Sequence, residues 1–305
     1  MDNGARMNTT MTTGFEQLDR FSGGLKKRTL MLIVSQDAAA GKAFILSAIR
    51  HAALTAPAAP TLYFSQNRGH RAVERLIACE SGLDAEVLTS GSFKVSDWAR
   101  ITNVAARIAE APLCIVESAH DIEAIRNAST DWLDRLRRGG QPPGLVVFDN
   151  IQDIRPTPVD ACEALQDADS LALEAIESIE YAHLWAQSRD GAVDSAPARV
   201  AFLLKELAIR IDVPVIAHCH LHCAQSDPAK REAAFSSALA AFAKAADIVG
   251  CLELLRRARH TPRAKISVTE NIFGATGGLY LAYYPDSFQL ADTPEREPVR
   301  RPPYA

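Results

Sequence analysis

The chain has 305 residues, of which 48% are hydrophobic and 23% charged, and its formal net charge is -4. That length accommodates one large α/β domain or two small ones, the composition excludes a wholly disordered chain, and the charge excludes a basic body that coats nucleic acid by charge alone. The six cysteines form no Cys-x-x-Cys pair and sit mostly in apolar runs, as reduced thiols do. No stretch has signal-peptide or membrane-spanning length, so the sequence predicts a soluble, cytoplasmic protein without membrane attachment.

In chain order, residues 1–11 read as a flexible N-terminus. From residue 30 onward short apolar runs alternate with longer helical patterns. "LMLIVS" (30–35), "TLYFS" (61–65), "LCIVES" (113–118), "GLVVFDN" (144–150), "VPVIAHCHL" (213–221) and "DIVGCLELL" (247–255) are strand-like. Between them lie Ala- and Leu-rich helical stretches such as 43–56 and 200–211. The alternation predicts a mostly parallel sheet with helices on both faces and ligands at the carboxyl ends of the strands. Residues 157–197 are acidic and Ala-rich and read as an insertion. Within it, Leu165, Leu171, Leu173, Ile176, Ile179 and Leu184 recur at near-helical spacing, which predicts an amphipathic helix over 161–187. Residues 264–290 read as two antiparallel strands joined at the Gly-rich "GATGG", and the Pro- and Arg-rich residues 291–305 as a disordered tail.

One stretch carries chemistry. "SQDAAAGKAFIL" (35–46) has the frame of a phosphate-binding loop: an apolar strand, a small-residue turn, Gly41-Lys42 and an apolar helix. Such a loop works because backbone N–H groups and a helix N-terminus converge on anionic oxygens, Lys acts as a point charge, and a Ser or Thr hydroxyl binds magnesium. Gly41 and Lys42 keep the first functions, and Ala43 cannot supply the last. The same residues also suit an Ala-rich helix start. Context favours the loop, since the strand at 144–150 ends in Asp149, where a magnesium-orienting acid belongs.

Order and spacing carry a resemblance. "TTGFEQLDRFSGGLKKRTLMLIVSQDAAAGKAFIL" resembles the opening of the RecA-like motor domain of DnaB-type replicative helicases. "LYFSQNRGHRAVERLIACESGLD", "VSDWARITNVAARIAEAPLCIVES", "LVVFDNIQDI", "LKELAIRIDVPVIAHCHLH" and "FAKAADIVGCLELLRR" then follow in that family's order. The resemblance covers residues 12–290 apart from the 157–197 insertion. It implies a RecA-like P-loop fold with a C-terminal β-hairpin, ATP as ligand, DNA as partner and self-association.

Carried over residue by residue, it implies Gly41, Lys42, Ala43 and Asp149 at the nucleotide. The family's catalytic Glu falls on Asn67, which takes no proton from water. Its γ-phosphate-sensing Gln falls on His220, and the following Asn and Arg on His222 and Cys223. The Lys and Arg sent into a neighbouring subunit's site fall on Glu270 and Ile272, and Glu there repels a developing phosphoryl charge. The pattern is that of a pseudoenzyme: ATP or ADP bound weakly, magnesium held poorly, and a binding or regulatory role in replication or a mobile element, alongside an active homologue. The alternative is an active helicase that borrows catalytic groups from a partner. The family's primase-binding domain and linker helix are expected to be missing, because about a dozen residues precede "TGF".

Two other features have two readings each. His218, His220 and His222 alternate toward one strand face, and are either zinc ligands of a metal-dependent hydrolase or hydrogen-bonded histidines at a sheet end. For DNA contact the sequence offers Lys230 and Arg231, or the more basic 254–265 with Arg256, Arg257, Arg259, Arg263 and Lys265, which equally suits a solvated hairpin loop.

Overall fold

The computed structural model describes residues 11–55, 57–65, 71–155, 196–221, 228–255 and 262–293. The elements run α1 (Glu16–Ser22), β1 (Leu30–Ser35), α2 (Ala38–Leu54), β2 (Thr61–Phe64), α3 (Arg71–Ser81), α4 (Ala85–Ser90), α5 (Val95–Glu110), β3 (Leu113–Val116), α6 (Ile122–Arg138) and β4 (Leu145–Phe148). After a 3-10 turn at Ile151–Asp153 come α7 (Ala196–Ile211), β5 (Val215–His220), α8 (Pro228–Ala243), β6 (Ile248–Leu255), β7 (Arg263–Asn271), β8 (Gly277–Tyr284) and β9 (Gln289–Asp292). The predicted helix at 161–187, and most of the insertion around it, lies outside the described residues.

All nine strands join one sheet in the order β3-β2-β4-β5-β1-β6-β7-β8-β9. The strands from β3 to β6 are parallel, and β6 to β9 are antiparallel. Central strand β1 shows why its run is continuously apolar. Leu30, Leu32 and Val34 face a core with α6, α7 and α8, while Met31 and Ile33 face a second core with α1, α2 and α3. With period-2 side chains and a helical layer on each face, no position of β1 is left for water. Phe64 and Phe148 stack at 4.7 Å between adjacent strands β2 and β4, tying the two carboxyl ends together.

The segment before β1 is fastened to α2. Thr13 donates its backbone N–H and its hydroxyl to Asp19 Oδ1 at 2.8 and 2.9 Å, and Phe15 stacks on Phe44 at 5.0 Å. Gly14 between them has φ +88, and a Cβ there would lie 2.6 Å from the His51 side chain. The Thr-Gly-Phe and Leu-Asp elements of the sequence are thus one hydrogen-bonded, stacked unit against α2.

The predicted C-terminal hairpin is present as β7 and β8, and two other sequence expectations are corrected. The sheet does not end with the hairpin: after β8 the chain turns at Pro285–Phe288 and returns as β9, whose Leu290 N–H donates to Ser47 Oγ of α2 at 3.0 Å. The folded chain therefore continues past residue 290 to Asp292. The signal was weak because "QLAD" has no β-branched or aromatic residue. The second correction concerns α2, which begins at Ala38 rather than near Gly41. Among the described residues, no helix is long and apolar enough to cross a membrane.

Candidate functional site

The carboxyl ends of β1, β2, β4 and β5 meet beneath the N-terminus of α2, and every sequence-derived loop residue lies there. Lys42 Nζ is 3.2 Å from Asp149 Oδ2, with side-chain exposures of 17% and 2%. The Tyr63 hydroxyl, from β2, donates to the same oxygen at 3.3 Å. Burial lowers the Lys42 pKa, and the Asp149 charge partly restores it. Burial first, and then Asp149, push the Tyr63 phenol well up. Burial and the neighbouring carboxylate thus act on Lys42 in opposite directions.

The loop itself is a helix turn. Asp37 is the N-cap of α2, and its carboxylate accepts the Ala40 N–H at 2.9 Å. The Gly41 N–H donates to the Asp37 carbonyl at 3.1 Å, as the first intrahelical bond. A phosphate loop needs these N–H groups free to converge on an anion, and here one serves a carboxylate and another the helix. Gln36 stands where the G-x-x-x-x-G-K pattern places its first glycine. Ala43 is fully buried in the apolar cluster between α2 and the sheet, and it carries no hydroxyl. The residues present do not fit a magnesium–nucleotide.

His218 locks this turn from below. Its Nδ1–H donates to the Asp149 carbonyl at 2.8 Å, and its Nε2 lies 2.8 Å from Ser35 Oγ. Ser35 has the Asp37 carbonyl, at 2.7 Å, as a second acceptor for its one proton. Burial pushes the His218 pKa down to about 4, so the ring is neutral at pH 7 and the serine proton divides its time between the two acceptors. Above the ring lies Gly41: a Cβ there would fall 1.9 Å from His218 Nε2. The glycine of the motif is required by an imidazole.

The other sequence-derived residues separate. His220 ends β5, with its Nε2 3.3 Å from the Gln36 carbonyl. Glu270 is exposed on β7, and Ile272 just beyond that strand is 68% exposed. Asn67, His222, Cys223, Arg256, Arg257 and Arg259 lie outside the described residues. Arg263 and Lys265 belong to β7, where Lys265 pairs in register with Glu253 and Tyr280. The zinc reading finds no support among the described residues. Both nitrogens of His218 are engaged within the protein, and among the described residues no three His, Cys, Asp or Glu side chains gather to hold a metal.

Three residues of the site were missed in the sequence. Asp37 was legible, because an Asp before "AAA" is a helix N-cap signal. Tyr63 and Arg75 were not, since no spacing links them to the loop. Arg75 of α3 depresses the pKa of both Lys42 and Tyr63 through its charge, and its buried Nη1 has no hydrogen-bond partner among the described residues.

The strand–turn–helix at β1 and the acid ending β4 both lie within residues 10–171, which match the model of the family "DnaB-like helicase C terminal domain". The chain belongs to this family. The replicative DNA helicase DnaB of Treponema pallidum is 32% identical over 108 residues, covering 35% of this chain and 24% of that protein. DnaB of Geobacillus stearothermophilus is 25% identical over 149 residues, 48% of this chain and 32% of its own. The replicative helicase DnaC of Bacillus subtilis is 20% identical over 209 residues, 68% and 39%. The matched regions are less than half of each relative's length. Among solved structures, a DnaB-like replicative helicase described with its interactions with primase and a separately solved ATPase domain each superpose with a TM-score of 0.67 at 17% identity. Both matches cover 94% of this chain, and they take in 62% of the helicase and 92% of the ATPase domain. They establish the DnaB-like, RecA-type fold.

Proposed function

We propose that this chain is a DnaB-type motor domain that does not hydrolyse ATP and acts as a binding or regulatory element in DNA replication or in a mobile element. Its partners on this reading are DNA and either an active homologue or further copies of itself. Ala43 carries the reading. In a working site a Ser or Thr hydroxyl at this position holds magnesium against the phosphates, whereas here the position is an alanine buried in the apolar core. Glu270 and Ile272 add support, because the positions that supply cations to a neighbour's site hold an acid and an aliphatic side chain. Losing one such cation alone costs roughly 10³–10⁵ in rate. Any ATP or ADP bound is held weakly and with little dependence on magnesium.

The test is ATP turnover by purified protein with and without single-stranded DNA. The expected result is no DNA-stimulated turnover above background, whereas robust turnover abolished by Lys42→Ala would sink the proposal. Affinity capture from the native cell identifies the partner.

A further inference from the structure

The misfit between this site and a magnesium–nucleotide has a specific agent. We infer that the phosphate site is liganded by the protein's own acids: Asp37 takes the place of a phosphate oxygen at the N-terminus of α2, and Asp149 takes the place of phosphate on Lys42. This deepens the reading of a site that does not turn over ATP and rests on it.

Three observations converge. The Asp37 carboxylate accepts the Ala40 N–H at 2.9 Å, one of the first-turn donors that an anion at a helix N-terminus uses. A phosphate arriving there meets a fixed negative charge and must displace it. The helix has also advanced to Ala38, so the Gly41 N–H is bonded to the Asp37 carbonyl and cannot turn toward a ligand. Ser35 and His218 hold that carbonyl and the floor beneath it, which keeps the tight turn from relaxing into an open loop. On the cationic side, Lys42 faces Asp149.

The cations for an anion are nevertheless present. Arg75 is close enough to lower the Lys42 pKa through its charge, and it keeps a buried Nη1 with no hydrogen-bond partner among the described residues. Positive charge is thus present at the cradle, and the carboxylate at 37 is the part of the block that a single substitution removes. An N-cap carboxylate is replaceable without unfolding the helix: Asn caps about as well as Asp, and Gly only slightly less well. Asp37 is consequently the residue that decides whether this cradle accepts an anion.

The experiment compares wild type, Asp37→Asn and Asp37→Gly by calorimetry with inorganic pyrophosphate, and with ADP without magnesium, at low ionic strength. Melting curves confirm that each variant is folded. The expected order of affinity is Asp37→Gly above Asp37→Asn above wild type, with at least a tenfold gain for Asp37→Gly that disappears when Lys42→Ala is added. Equal affinity in all three proteins overturns the inference, as does a gain that survives Lys42→Ala. Tight ADP binding by wild type without turnover overturns it too, together with the weak nucleotide binding proposed above, while leaving the proposed absence of turnover standing. DNA-stimulated turnover by wild type removes the proposed function, whereas the response of pyrophosphate binding to Asp37 is read independently of it.

Discussion

Lys42 Nζ and Asp149 Oδ2 are 3.2 Å apart at the junction of α2 and β4, the lysine mostly and the aspartate almost wholly buried. Removing one member of such a pair strands the other charge in a low-dielectric site, which commonly costs about 3–5 kcal/mol. Lys42 is the more exposed of the two and its ammonium can be partly solvated when the partner is lost, so Asp149→Ala is expected near the lower end, and Lys42→Ala, which strands the almost wholly buried carboxylate, near the upper. Thermal unfolding without ligand should show both. The double variant Lys42→Ala/Asp149→Ala should be more stable than the sum of the single changes implies, and strict additivity would mean that the pair is not coupled.

Gly41 and His218 form the second coupled pair. Gly41→Ala places a methyl carbon within the imidazole, 1.9 Å from Nε2, and is expected to destabilise by about 1–3 kcal/mol, in spite of the better helix propensity of Ala. The combination Gly41→Ala/His218→Ala should recover part of that loss. Denaturant titration measures it, and a Gly41→Ala protein as stable as wild type would show that the ring moves freely.

The acid limb of stability follows from His218. Burial pushes its pKa down to about 4, against roughly 6.5 unfolded. Between those values only the unfolded chain takes up the proton, so stability is full above about pH 6.5 and is lost as the pH falls toward 4, by up to about 3 kcal/mol. Asp19 acts in the opposite sense. Burial, opposed by the Thr13 hydrogen bonds, raises its pKa to about 6, so its contribution is present in acid and lost as the pH rises through 6. His218→Leu should flatten the fall in melting temperature between pH 6.5 and 4, and Asp19→Asn should steepen it. An acid limb unaffected by His218→Leu would assign it elsewhere.

Restoring the hydroxyl of the motif should not restore the site. Ala43 is wholly buried among apolar side chains, so Ala43→Thr adds a methyl and a polar group to a filled core, at about 1–3 kcal/mol. The expected outcome is a lower melting temperature and no magnesium-dependent ATP binding by calorimetry. A gain of such binding would show that the first turn of α2 opens for nucleotide.

Strand positions and the layering of helices on both faces were legible because the apolar runs are long, β-branched and regularly spaced. The run "LMLIVS", apolar at every position but its last, required a strand buried on both faces, and β1 has a core on each side. The placement of Asp149 at the end of its strand and of Lys42 after Gly41 was legible for the same reason, since strand ends and motif spacing are properties of the chain itself. What the loop does was not. "SQDAAAGKA" is compatible with an open phosphate loop and with the first turn of a helix, and local propensity does not choose between them. The choice depends on Asp37 capping Ala40, on Ser35, itself against His218, holding the Asp37 carbonyl, and on an imidazole lying beneath Gly41. His218 is far beyond Gly41 in the chain. Only the pairing of β1 with β5 brings it under the turn, so only the tertiary structure decided that the glycine serves a histidine and the lysine an aspartate.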